Sequence, residues 1–280
     1  MLVLDFDGTL TDAEKEGLPF RVGYLEDLAT VVGAPLEEVR ALADDFEEAI
    51  LRDRATFGWI FHGHIVAPAS VDPYLRIMPV ARQVMDHYGV LKDERLRERL
   101  LDGILYRYNY PKSAMHFRDG ALEVLQALRT LDTVIISNSA TAPVQGKIRA
   151  LAATGGDPEA LDWLVDRVYG LGKKYVVDPA FEAVPEALEI PDLHRPVLLR
   201  RPHYHRRITE QLAQRGEGWE DLCVVGDIFE LDLALPLALG ARVGLMVNDF
   251  TPPYEIAWLG DRPGARILRS LDDLLAFARS

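Results

Sequence analysis

The sequence predicts an α/β protein whose core is a Rossmann-like, doubly wound parallel sheet, interrupted by an inserted all-helical domain. Three observations carry this reading. Short apolar runs at residues 2–6, 133–136, 164–169, 222–225 and 242–247 are too short for buried helices, and most are rich in Val, Ile or Leu, as strands covered on both faces are. Helical patterns lie between them, which is the alternation of a parallel sheet. The stretch between the first and second runs, residues 12–118, is helical in pattern rather than alternating.

Within that insertion Leu36, Val39, Ala43, Phe46 and Ile50 fall at three and four spacing, with Glu37, Glu38, Asp44, Asp45, Glu47 and Glu48 mostly elsewhere, as on a solvated helix face. Residues 75–88 and 93–108 repeat the habit. The insertion is long enough to hold its own core, so the chain divides into a core domain, 1–11 with 119–280, and a helical domain, 12–118. After it, residues 119–131 place Leu122, Leu125 and Leu128 on one helical face, and residues 271–277 close the chain with another amphipathic segment. Pro179, Pro185, Pro191, Pro196 and Pro202 argue against a long regular element in 170–202, leaving 174–177 and 197–200 as short strands able to pair.

Composition narrows the function. The 280 residues carry 31 Lys and Arg against 44 Asp and Glu, a net charge of −13. That disfavours a broad nucleic-acid surface, which needs clustered Lys and Arg to displace counterions from phosphates. No apolar run approaches the ~18 residues of a membrane span, and the first residues carry no basic leader, so a cytoplasmic protein is expected. One cysteine, Cys223, lies in an apolar run and excludes disulfide and zinc-finger scaffolds. A hydrophobic fraction of 49% excludes a mainly disordered chain.

Three strand ends carry the chemistry. The first runs into Asp5, Phe6, Asp7, Gly8, Thr9 and Leu10, placing two carboxylates where open parallel sheets hold ligands. A surface Asp-Gly turn accounts for Asp7 and Gly8 but leaves Asp5 as a carboxylate inside an apolar strand, where an unpaired charge is costly. With Gly8 turning the backbone, both carboxylates and the Asp7 carbonyl can surround one small cation. The second ends in Ser137, Asn138 and Ser139, a hydroxyl and an amide able to hold an anionic oxygen, though both are also ordinary helix caps. The fourth ends in Gly226, Asp227, Ile228, Phe229, Glu230, Leu231 and Asp232, oxygen donors suited to Mg²⁺; Asp232 alone also fits the first turn of a helix.

These motifs, in this order and with a helical insertion after the first, resemble the haloacid dehalogenase (HAD) superfamily of phosphohydrolases. The resemblance implies a HAD-like core under a helical cap, with Asp5 as nucleophile, Asp7 as general acid and base, and Ser137 and Asn138 binding the phosphoryl group. It implies Mg²⁺ held by Asp5, Asp7 through its carbonyl, and Asp227, with Asp232 a further candidate. The expected substrate is a small phosphorylated metabolite, with no nucleic-acid or membrane partner. Asp7 favours phosphoryl chemistry over dehalogenation, which has no leaving-group oxygen to protonate. A phosphomutase, or a binding module that lost turnover, are the alternatives.

The third motif departs from the superfamily pattern. Where a Lys, often Lys-Pro, is usual, the chain reads Leu199, Arg200, Arg201, Pro202, His203. Arg201 keeps that context and its guanidinium can bridge two phosphate oxygens. Lys173 and Lys174 compete for the role, and the context ranks Arg201 ahead of Lys174. The remaining members of the basic cluster up to Arg207 read as exposed. His62 and His64 lack a third ligand nearby, so packing or substrate contact is favoured over zinc.

Overall fold

The structure, a computed structural model, describes residues 1–108 and 114–280, so residues 109–113 of the expected insertion lie outside the described residues. Along the chain run β1 (Leu2–Leu4), α1 (Ala13–Val32), α2 (Leu36–Arg52), β2 (Gly58–Phe61), β3 (His64–Pro68), α3 (Pro73–His87) and α4 (Glu94–Tyr108). Then follow α5 (Ala121–Ala127), β4 (Thr133–Ile136), α6 (Thr141–Thr154), α7 (Asp162–Val165), β5 (Val168–Tyr169), β6 (Ala187–Leu188), β7 (Val197–Leu198) and α8 (Pro202–Ala213). The chain closes with β8 (Cys223–Gly226), a π-helical turn (Phe229–Leu233), α9 (Ala234–Ala238), β9 (Arg242–Met246), α10 (Pro253–Gly260), β10 (Ala265–Leu268) and α11 (Leu271–Arg279). Two compact units result: Met1–Asp12, Ile60–Ala67 and Phe117–Ser280 form one, and Ala13–Trp59 with Pro68–His116 the other.

The first unit is built on a six-stranded sheet of order β10-β9-β8-β1-β4-β5, parallel at every pairing. Leu4 of β1 pairs with Ile135 on one side and Val225 on the other, so these three strands end at nearly the same level. The chain winds outward from β1 through β4 and β5, then returns to the other side as β8, β9 and β10. That reversal makes the carboxyl end of β1 the topological switch point, where open α/β sheets hold ligands. One buried cluster joins Leu2 and Leu4 of β1 to Val124 and Leu125 of α5, Val144 and Ile148 of α6, and Leu274 and Phe277 of α11. At about 1.5–3 kcal/mol for each large apolar side chain removed from water, this cluster is what holds the strand ends in place.

The helical unit has its own core. Phe20, Tyr24 and Leu28 of α1, Val39, Ala43 and Ile50 of α2, Ile77, Val80 and Val84 of α3, and Leu101 of α4 are all buried together. The three-four stripe read in α2 is the face that packs. Asp72 caps α3, accepting the Tyr74 N–H at 2.7 Å, with Pro73 in the first turn where its missing N–H does no harm. Arg76, buried at 2% exposure, is held by Glu14 at 2.6 Å, Glu47 at 2.8 Å and the Ser70 carbonyl at 2.6 Å.

Local structure departs from the sequence expectation at three places. The insertion is not helical throughout: β2 and β3 form a hairpin, of which Ile60–Ala67 belongs to the sheet unit. Its turn has positive φ at both His62 (48°) and Gly63 (81°), as two-residue primed hairpin turns require, and Trp59, Ile60, Ile65 and Val66 favour strands. Residues 174–177 do not pair with 197–200; β7 pairs antiparallel with β6, because the chain turns at Lys173, whose carbonyl accepts the Val176 N–H. The run 164–169 also divides, Leu164 and Val165 completing a helical turn and only Val168 and Tyr169 joining the sheet. No helix among the described residues is long and apolar enough to cross a membrane.

One buried charge cluster lies behind the fourth strand end. Glu230 is fully buried and paired through both oxygens with Arg195, at 2.6 and 2.8 Å. Glu255 is buried beside it with no donor inside hydrogen-bond geometry for either oxygen. Burial first, then the Glu230 charge, push the Glu255 carboxyl well above its ordinary 4.5, with Arg195 and the Phe229 N–H opposing. A group whose pKa rises on folding binds more protons in the native state, so its contribution to stability declines as pH climbs above about 4.5. Glu255→Gln is therefore expected to match the wild type in stability near pH 4.5 and exceed it by about 1–3 kcal/mol at pH 8, measured by denaturant unfolding. Parallel pH profiles for the two proteins would contradict the assignment.

Candidate active site

Asp5 follows β1 directly, its N–H bound to the Val225 carbonyl at 2.8 Å, so sheet pairing fixes its backbone. The residue is 8% exposed; Oδ2 accepts the Thr9 hydroxyl at 3.1 Å and Oδ1 meets Lys174 Nζ at 2.6 Å. Burial raises its pKa to about 7, with the Lys174 ammonium pulling down and Asp232 pushing up. The chain then turns at Gly8, where φ is +80° and a Cβ would lie 2.1 Å from Asp227 Oδ2. Only glycine permits both the left-handed conformation and that close approach to Asp227. Arg118 fixes the turn from outside by donating Nε and Nη2 to the Gly8 carbonyl at 3.0 and 2.7 Å.

Asp7 is the more accessible carboxylate, at 30% side-chain exposure. Its Oδ1 pairs with Lys147 Nζ at 3.1 Å and its Oδ2 accepts the Ser137 hydroxyl at 3.3 Å. Ser137 in turn accepts the Ser139 N–H at 3.0 Å, fixing its rotamer at the end of β4. At the end of β8, Asp227 is 1% exposed and its Oδ1 accepts the Thr9 hydroxyl at 3.3 Å. Thr9 therefore links the first and fourth strand ends. Asp232, one turn further, accepts the Ile228 N–H through Oδ2 at 3.1 Å and meets Lys174 through Oδ1 at 2.7 Å.

The structure brings Lys174, rather than Arg201, to the Asp5 carboxylate. Lys174, buried at 1% exposure, bridges Asp5 and Asp232. Burial disfavours its charge, yet the two carboxylates outweigh burial and raise its pKa, so the ammonium is retained. Arg201, ranked ahead of it by sequence context, instead donates to the carbonyls of Leu198, Lys174 and Val66. Lys173 is exposed. Asn138, expected at the phosphoryl group, holds the Lys174 N–H through Oδ1 at 2.8 Å.

Lys174 reaches the site because the loop after β5 folds back over the end of β4. Leu171 N–H binds the Ser139 carbonyl and Gly172 N–H the Ser137 carbonyl, both at 2.8 Å. Leu171 and Lys173 hold positive φ, 53° and 48°, at a cost of order 1 kcal/mol each. A Cβ on Gly170 would lie 2.3 Å from the Thr141 N, so that loop cannot approach with a larger residue. Gly170-Leu171-Gly172 ahead of two lysines is the sequence signal for this arrangement. Lys147 carries no comparable signal, being one polar position on the amphipathic α6.

The sequence matches no protein-family model, and no curated protein matches it at a significant level. Solved structures do align. A haloacid dehalogenase-like hydrolase from Bacteroides fragilis aligns with TM-score 0.52 and 14% identity over 98% of each chain. The fold is that of the HAD superfamily. A HAD hydrolase from Bacillus subtilis, solved with magnesium bound, aligns with TM-score 0.50 and 16% identity over 100% of this chain and 98% of that one. An L-2-haloacid dehalogenase from Xanthobacter autotrophicus aligns with TM-score 0.44 and 16% identity, over 100% and 98%. Within this HAD fold, Asp5, Asp227 and Asp232 each bring a carboxylate oxygen within 4.8 Å of the others. Three buried carboxylates form an all-oxygen donor set, which suits a hard cation such as Mg²⁺.

Proposed function

We propose that this protein is a Mg²⁺-dependent phosphohydrolase that cleaves a phosphate monoester of a small metabolite through an aspartyl-phosphate. The observation that carries the reading is Lys174 Nζ lying 2.6 Å from Asp5 and 2.7 Å from Asp232, beside Asp227. Asp5 and Asp227, with the Asp7 carbonyl, would hold the cation. When bound it would offset the repulsion between a carboxylate and a phosphate dianion.

The chain's own groups then divide the work. Lys174 and the Thr9 hydroxyl orient the Asp5 carboxylate, whose oxygen attacks phosphorus as the bond to the leaving oxygen breaks. Asp7 gives a proton to that leaving oxygen, then takes one from the water that attacks phosphorus, which releases phosphate and restores Asp5. Ser137 and Lys147 hold Asp7 in place for both transfers, and Ser137 can turn its hydroxyl to a phosphoryl oxygen. Asp7 supports phosphoryl transfer over dehalogenation, where it would have no proton to deliver. Lys174 beside Asp5 supports turnover over a binding module, since it supplies a cation where the chain has no Lys-Pro.

The test is hydrolysis of an aryl phosphate and a panel of metabolite phosphates, with and without Mg²⁺. Turnover that requires the cation and returns when it is added back after chelation is expected. Cation-independent turnover, or none across the panel, would contradict the reading.

A further inference from the structure

We propose that Arg201 is a positioning residue that locks the main chain of Lys174 and the hairpin residues Ile60–Ala67 to one point of the core; its bearing on turnover rests on the function proposed above. Arg201 is fully buried, immediately before α8. Its Nε donates to the Leu198 carbonyl at 2.9 Å, Nη1 to the Lys174 carbonyl at 2.6 Å, and Nη2 to the Val66 carbonyl at 2.8 Å. These acceptors come from three segments, the farthest 135 residues away in sequence. Among the described residues it makes no ion pair, and burial pushes its pKa down to about 10. A buried guanidinium without a carboxylate is costly, so its carbonyl contacts carry the compensation.

The arrangement explains how Lys174 keeps its position at the end of a strained loop. Its N–H is held by Asn138 and its C=O by Arg201, so both sides of its main chain are fixed. The same guanidinium holds Val66, and the Phe61 ring packs edge-on against Tyr175, the residue after Lys174, at 4.7 Å. The hairpin and the Lys174 loop thus share one clamp. Only a planar fork of donors serves three diverging carbonyls; an ammonium on a flexible stem does not.

Hydrogen exchange read by mass spectrometry, together with kinetics, tests this in Arg201→Met and in Arg201→Lys, which keeps the charge. In both variants amides of 60–67 and 171–177 are expected to exchange about tenfold faster or more, while β4 and β8 keep their protection. Loss of kcat by about 10–100-fold with KM changed less than about threefold is expected for Arg201→Met, with Arg201→Lys intermediate. Combined with Lys174→Met, Arg201→Met should add little further loss, since it acts through that residue. Unchanged exchange in the two segments, exchange raised throughout the sheet, or losses that multiply would overturn the proposal. If the wild type shows no turnover, the proposed function fails and exchange alone decides whether the clamp exists.

Discussion

Asp5→Asn is expected to abolish phosphate-ester turnover, by about 10⁴-fold or more, because it removes the proposed nucleophile while keeping its shape. The same substitution should not destabilise the protein. Asp5 shares the Lys174 ammonium with Asp232, and burial already disfavours its charge. Replacing it with a neutral isostere relieves repulsion with Asp232 while Lys174 keeps its second partner. Unfolding measured in the absence of Mg²⁺ should therefore show stability equal to or above that of the wild type. Retained turnover, or loss of activity that tracks unfolding, would remove Asp5 from the role assigned to it.

Lys174→Met should fail on both measures. Turnover is expected to fall by about 10²–10³-fold, since Lys174 is the cation that pairs with Asp5 among the described residues. Stability at pH 7 without metal should drop by about 3–5 kcal/mol, the usual cost of removing one member of a buried ion pair. The loss has a specific cause, two carboxylates left facing each other, so it should be partly reversed in the Asp5→Asn/Lys174→Met double variant. A double variant that gains over Lys174→Met no more than Asp5→Asn gains over the wild type would show that Lys174 does not act between Asp5 and Asp232. Sequence context alone ranks Arg201→Ala as more damaging to kcat than Lys174→Ala; with the guanidinium facing three carbonyls, the reverse order is expected.

The contrast between those two cations shows where a sequence is readable. Asp5, Asp7, Ser137 and Asp227 stand at the ends of short apolar strands, and parallel-sheet geometry brings such ends together whatever else the chain does. Local pattern suffices to place those side chains, whatever their roles. Lys174 reaches the site through a loop whose course depends on Gly170 fitting against Thr141 and on positive φ at Leu171 and Lys173. None of that appears in hydrophobic periodicity. Arg201-Pro202 looks right in one dimension because proline opens α8, but the fold turns that guanidinium toward Val66, far away in sequence. The β2–β3 hairpin was hidden for a related reason: two strands of four and five residues are too short to outweigh the helical pattern on either side. Lys147 is not legible in the sequence, because a lysine on a helix has the same local pattern whether it faces solvent or, as here, Asp7.

The most direct test is capture of the covalent intermediate. The protein with Mg²⁺ and an aryl phosphate, quenched during turnover with borohydride, should yield a peptide in which Asp5 is reduced to homoserine, the product expected from an acyl phosphate at that residue. Reduction at any other residue, or robust turnover with Asp5 recovered unmodified, would contradict the account.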